Sequence, residues 1–194
     1  MAKTANKGFF LRKSLIGQEA PSVMDIIIAG SATLTVGGLV RINNAGLVVP
    51  CLTTEVVGGV LVGIVDQKGV SAFSPRAQGT SGATITGDDT IVTASDNATN
   101  ATKNLKAQVI IDPAGCLLYY NDADTTLAQT NLFQFFDVDL GTQVTVGGAS
   151  DSNGQVQLMQ IDPDGDGDVS KGLFRINESQ FNAGVDTATA KIAA

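Results

Sequence analysis

The chain contains no histidine and no tryptophan. Without histidine, the commonest general base and the commonest transition-metal ligand are both gone. A Ser-His-Asp triad, a Cys-His pair and a histidine-based zinc site are therefore excluded within one chain. Glutamate is nearly absent too: only Glu19, Glu55 and Glu178 appear among nineteen acidic residues. Aspartate favours turns and glutamate favours helices, so this acid usage argues against a helical protein. Two cysteines, Cys51 and Cys116, are too few for a disulfide framework in 194 residues. Both lie in apolar stretches, "VVPCLTT" and "AGCLLYY", and are expected to be small buried hydrophobes, with a disulfide between them left open.

Long apolar runs are also missing. "MDIIIAG" falls far short of the ~20 residues that a membrane-spanning helix needs. Arg12 and Lys13 interrupt the apolar patch in "MAKTANKGFFLRKSLIG", which argues against a signal peptide and predicts a soluble chain made in a cytoplasm. The net charge of −7 disfavours wrapping nucleic acid, because phosphate contacts need clustered cations.

What is present is glycine, 22 of 194 residues, together with many Val, Ile, Leu and Thr. Typical glycine usage is about 7%. This mixture predicts an all-β fold, a compact barrel or sandwich of short strands joined by tight turns, with little helix. The length suits one domain or two small packed lobes.

Charge divides the chain. Residues 1–24 hold Lys3, Lys7, Arg12 and Lys13 with no acid before Glu19, whereas residues 14–194 hold eight bases against nineteen acids. A basic, extended N-terminal arm on an acidic body is expected. The body spans 25–185, with candidate lobes at 25–70 and 104–185 around a polar region at 71–103; residues 186–194 form a tail. "GFFLRKSLI" gains little from free solution and more from docking on a surface. The open alternatives are a disordered tail and an arm that orders against a neighbouring subunit, with Phe9, Phe10 and Leu11 as apolar anchors and Arg12 and Lys13 as charge contacts.

Turn chemistry places the strands. "LVRINNAGLVVPCL" reads as a hairpin over 39–52, turning at Asn43–Gly46. The glycines of "VVGGVLVGIVD" predict a strand with a bulge or a close backbone approach at Gly58, Gly59 or Gly63. "ATITGDDTIVTAS" reads as a second hairpin around Gly87-Asp88-Asp89, and Asn97 and Asn100 stand in glycosylation sequons that matter only on a secretory route. Asp112-Pro113-Ala114-Gly115 has the chemistry of a type I turn. Helix is expected only in "TTLAQTNLFQFF", behind a possible capping box of Thr126 and Gln129, and as a turn or two in "NESQFNAG". Tyr119 and Tyr120 should point to opposite faces of a strand, one packed and one meeting solvent or a partner. Phe133 and Phe135 share a face if extended, either in the core or at a subunit interface. Asp122 and Asp124 resemble the carboxylate pair of a glycosidase, against the plainer reading of a solvated turn.

The most specific motif is "IDPDGDGDVSKGLFRI" at 161–176. Asp162, Asp164, Asp166 and Gly167 match positions one, three, five and six of a helix–loop–helix calcium loop; Asp168 and Ser170 add oxygens. Leu173 stands where the bidentate Glu is required, and the flanks read as strands. Two readings stay open: a weak site for calcium or another hard cation, or an acidic turn begun by the Ile-Asp-Pro-x-Gly device that also occurs at 111–115. No other cofactor is called for, and no pair of residues suggests an enzyme.

The succession "TVGGLV", a short hairpin, then "GVLVGIV" resembles small β-rich decoration, or cement, proteins that coat the heads of tailed bacteriophages. That resemblance spans about 25–70, and it carries over a class without functional residues. It implies a virion protein, made in the host cytoplasm, that sits on the capsid exterior. Such proteins often form trimers, bind the major capsid protein and stabilise the shell by bridging its subunits. The alternative class is a secreted or surface β-domain that holds calcium at 162–170 and recognises a glycan or a protein.

Overall fold

The three-dimensional structure is a computed structural model, and it describes residues 8–15, 21–29, 32–65, 84–85, 106–139, 143–148, 154–177 and 179–181. The expected hairpin around Gly87, the sequons at Asn97 and Asn100 and the tail at 186–194 lie outside these residues.

The β-branched runs and glycine punctuation fold as strands throughout, and the protein is all-β. In chain order the strands are β1 (Phe10–Ser14), β2 (Ser22–Ile27), β3 (Leu34–Thr35), β4 (Leu39–Ile42), β5 (Val48–Pro50), β6 (Gly59–Val65) and β7 (Thr84–Ile85). Then follow β8 (Lys106–Ile111), β9 (Leu117–Asp122), β10 (Phe135–Phe136), β11 (Val138–Asp139), β12 (Gln143–Val144), β13 (Val156–Ile161) and β14 (Lys171–Ile176). Where helix was expected at 126–136 there is a single 3-10 turn, Gln129–Asn131, followed directly by β10. Thr126 does not cap it: the turn starts after Ala128, whose N–H donates to Asn131 Oδ1 at 2.8 Å.

Two five-stranded antiparallel sheets dominate. The first has the order β2-β8-β6-β4-β5. Its two ends meet where Ile28 forms a parallel bridge with Val48, and the Ala29 N–H donates to the Val48 carbonyl at 2.9 Å. The sheet thus curls into a small barrel, here called the barrel sheet, filled by Ile28, Leu34, Val40, Val48, Leu61 and Ile64. The β4–β5 hairpin turns at Asn43, as its sequence predicts, with the Asn43 side chain accepting from the N–H groups of Ala45 and Leu47. The glycine-rich β6 carries the expected irregularity: its register with β8 slips between Leu61 and Gly63. Gly59 answers the other expectation, close approach, since a Cβ there would lie 2.3 Å from the Ile110 carbonyl oxygen.

The second sheet has the order β1-β9-β14-β13-β10 and is called the arm sheet after its first strand. One face packs on the barrel sheet around a shared core that joins Leu39, Val60 and Ile110 to Tyr119, Leu158 and Phe174. β8, expected in the second lobe, pairs in the barrel sheet, so the step between sheets falls at the turn after Ile111. Gln155 ties the layers from inside. Its side chain accepts from the Val138 N–H at 2.9 Å and donates to the carbonyls of Leu52 at 2.8 Å and Glu55 at 2.9 Å. Cys51 is buried beside it, whereas Cys116 is half-buried, and no disulfide joins the two.

Asp112 opens the turn between sheets. It is 4% exposed, and its carboxylate accepts from the backbone N–H groups of Cys116 and Leu117, each at 2.9 Å. Burial raises its pKa above the ordinary 3.8, partly opposed by the N–H groups of Leu117, Cys116 and Gly115 and by the Arg175 charge. The folded state therefore holds this proton more tightly than the unfolded chain. Its contribution to stability is complete below the unfolded value and is lost as pH rises through the raised one. The melting temperature of the wild type minus that of Asp112→Asn should accordingly fall as the pH rises above the ordinary carboxylate range. A difference that grows with pH would contradict burial as the dominant cause.

Candidate interaction surface

The arm, expected to reach away from the body, begins inside it. Phe9 is 2% exposed and meets Tyr119 and Phe174 edge-on, each with ring centroids 6.5 Å apart; Phe174 in turn meets Phe136 at 6.3 Å. Phe9 is thereby committed to the chain's own core. β1 then pairs antiparallel with β9, setting Phe10 opposite Tyr120, Leu11 opposite Tyr119 and Lys13 opposite Leu118, with a bulge at Arg12. Leu11 packs on the shared core, Phe10 lies on the outer face of the arm sheet, and Arg12 and Lys13 are exposed.

That outer face is also apolar. Leu118, Tyr120 and Leu173 are buried there, with Phe10 and Met159 half-buried against them. Tyr119 and Tyr120 do point to opposite faces as expected, yet both are buried, because the outward tyrosine finds the arm strand beside it. Burial first, and the neighbouring Asp122 carboxylate second, push the Tyr120 hydroxyl pKa up, with Lys171 acting the other way. At one end of the face stands Phe133, 60% exposed, with its backbone at φ 65°. Its N–H donates to the Leu158 carbonyl at 2.9 Å, and its carbonyl accepts from Gln157 Nε2 at 2.7 Å. Gln157 is held in turn by Arg175 Nε at 2.7 Å. A bulky residue rarely adopts positive φ unless its surroundings over-determine it. Phe133 is thus a presented aromatic ring on a pinned backbone. It does not share a strand face with Phe135, which is half-buried on β10.

The acidic loop lies on this side as well. Asp162, Asp164, Asp166, Asp168 and Ser170, proposed from sequence as metal ligands, are brought together between β13 and β14 and are held by the chain's own donors. The Asp162 carboxylate accepts from the N–H groups of Asp166 at 3.1 Å and Gly167 at 2.9 Å. This repeats Asp112, whose carboxylate also serves the N–H groups four and five residues on. The shared Ile-Asp-Pro-x-Gly sequence therefore encodes one turn device used twice. Asp168 Oδ1 accepts from the Ser170 N–H at 3.2 Å and the Ser170 hydroxyl at 2.6 Å. Gly165 at φ 68° and Gly167 at φ 83° supply left-handed backbone in the loop, and Asp162 stands at φ 44°.

Two cations complete the loop. The Lys171 side chain is almost fully buried; its Nζ bonds Asp166 Oδ2 and lies 3.6 Å from Asp168 Oδ2. Arg12 on the arm strand reaches Asp164 Oδ1 at 2.6 Å. The ammonium thus stands beside two of the loop's carboxylates, and the guanidinium beside a third. Among the described residues no three His, Cys, Asp or Glu side chains are grouped to hold a metal ion. Asp122 and Asp124 also have separate engagements: Asp122 stands opposite Lys171 across the β9–β14 ladder, and Asp124 accepts from the Val146 N–H at 2.9 Å.

Sequence reasoning named the loop and the arm separately and missed the contact between them. Leu118, Met159, Leu173 and Lys171 were missed as well. The apolar alternation of β9 against β14 is the one signal that carries them, since both strands are apolar at inward and outward positions. Comparison with protein-family models, with curated proteins and with solved structures returns no match.

If Lys171 is the resident cation, the wild-type melting temperature should be the same in millimolar calcium and in EDTA. Lys171→Met should cost about 1–2 kcal/mol, less than the full penalty of breaking a buried pair, because Asp166 remains half in water. The variant should also gain a calcium response. A wild-type melting point that drops in EDTA would overturn this assignment.

Proposed function

We propose that the chain is a structural virion protein that coats the outside of an assembled phage capsid, contacts the major capsid protein and braces the shell by bridging its subunits. The observation that carries this reading is the arm sheet, apolar on both faces although only one face meets the barrel sheet. An antiparallel sheet that stands at a protein surface ordinarily alternates apolar inward and polar outward. Half-buried Phe10 and Met159 border the buried Leu118, Tyr120 and Leu173, and together with the pinned, exposed Phe133 and the exposed Lys13 they form a patch that a partner could extend. With Lys13 exposed at one edge and the aspartate loop on the same side, the patch suits a partner surface of mixed charge.

Docking of this kind needs no chemistry from the chain. A protein that binds only the assembled shell stabilises it by mass action. Many copies, each touching more than one capsid subunit, multiply weak contacts into a firm clamp. The homotrimer implied by the resemblance would serve that purpose.

The arm cannot be tested by removing it, because Phe9 belongs to the core. Point variants on the outer face avoid that difficulty. Purified protein should co-sediment with heads of the phage that encodes it, and Phe133→Ala and Phe133→Asp should each weaken that binding about tenfold or more while melting normally. Heads that sediment without the protein, or that bind both variants as well as the wild type, would defeat the reading.

A further inference from the structure

We propose that β2 is the seam through which copies of this chain join head to tail, the β2 edge of one copy receiving the basic arm strand β1 of the next. The inference goes beyond the reading above, because it holds whatever surface the assembly coats.

Among the described residues the two large sheets end in four edge strands: β1 and β10, β2 and β5. Three carry the devices that keep an edge from pairing with any strand it meets. β10 has only two residues; β5 has three and ends in Pro50; β1 is bulged at Arg12 and carries two charges. β2 is neither short nor bulged, has no proline and carries one charge. Its six residues pair with β8 in unbroken register from Ser22–Ile111 to Ile27–Lys106. No described strand pairs along its other edge, and the barrel sheet closes only beyond it, at Ile28. Val23, Met24 and Ile27 are all exposed on it. An unprotected apolar edge of this length is a template for another strand.

Charge selects which strand. The single charge on β2 is Asp25. Two copies of β2 paired about a two-fold axis centred on Asp25 would oppose two carboxylates, and centred on Met24 they would leave Asp25 opposite Val23. Neither register offers a cation. The arm strand does. Set antiparallel to β2 with Lys13 opposite Asp25, it places Leu15 opposite Val23, an ion pair beside an apolar pair. Lys13 and Leu15 are both exposed; Lys13 lies past the bulge within β1, and Leu15 follows the strand's end, with its N–H donating to the Cys116 carbonyl at 2.8 Å. Such a contact joins different surfaces of the two partners, so it closes into a ring or continues as a filament and does not stop at a two-fold dimer.

Sedimentation velocity on the full chain tests this directly. The wild type should run as a species larger than a dimer. Asp25→Lys and Lys13→Asp should each raise the dissociation constant about tenfold or more, with unchanged circular dichroism, and the double variant should recover most of the loss. Met24→Lys, which leaves both charges in place, should also disperse the assembly. A monomeric wild type, or a double variant no better than either single one, would overturn the proposal. A wild type that is monomeric yet binds heads would sink this inference and spare the proposed function; an intact ring that ignores heads would do the reverse.

Discussion

The burial of Phe9 is the contact on which the rest of the arm sheet depends. Its ring sits edge-on to Tyr119 and Phe174, residues more than a hundred positions away in sequence. Removing such a ring from a packed core costs about 3–5 kcal/mol, a large part of the stability of a domain this size. Once Phe9 is fixed, the next residues have little choice but to run along β9. Phe10 then covers Tyr120, and Arg12 arrives within reach of Asp164. The basic arm, the apolar outer face and the acidic loop become one surface because one aromatic ring is anchored below it.

Electrostatics at that surface follow the same logic. A run of four aspartates in seven residues would repel itself unless the charges were answered. Here backbone N–H groups answer Asp162, a hydroxyl and an N–H answer Asp168, a buried ammonium answers Asp166 and a guanidinium answers Asp164. The arrangement is a closed set of charge-assisted hydrogen bonds. Lys171, the first residue of β14, brings its ammonium against Asp166 and Asp168.

Much of the local structure was legible in the sequence. Asn43–Gly46 turned the hairpin it promised, the glycines of β6 marked a register slip and a close approach, and Asp112-Pro113-Ala114-Gly115 formed its turn. These features depend on residues close in sequence, so local chemistry decides them. What was not legible depends on distant partners. "GFFLRKSLI" reads as an arm because nothing nearby explains its apolar residues, and its explanation lies at Tyr119 and Phe174. Tyr120 was expected to be half outward, yet the same arm covers it. Lys171 looks like an ordinary strand lysine until the loop folds over it. Phe133 would share a face with Phe135 if the segment were extended, and a backbone at positive φ keeps it out of any regular strand. In the calcium motif the sequence showed its own exception, Leu173 in place of a glutamate, and the structure supplies the reason: that residue faces the apolar cluster of the outer sheet face.

Amide hydrogen exchange along residues 10–14 measures most directly whether the arm strand is part of the body. If Phe9 anchors it, these amides that pair with β9 exchange slowly, with protection approaching that of β9 and β14. Exchange at the rate of an unstructured peptide would mean that the arm is not held in the sheet, and the continuous surface derived from it would not exist.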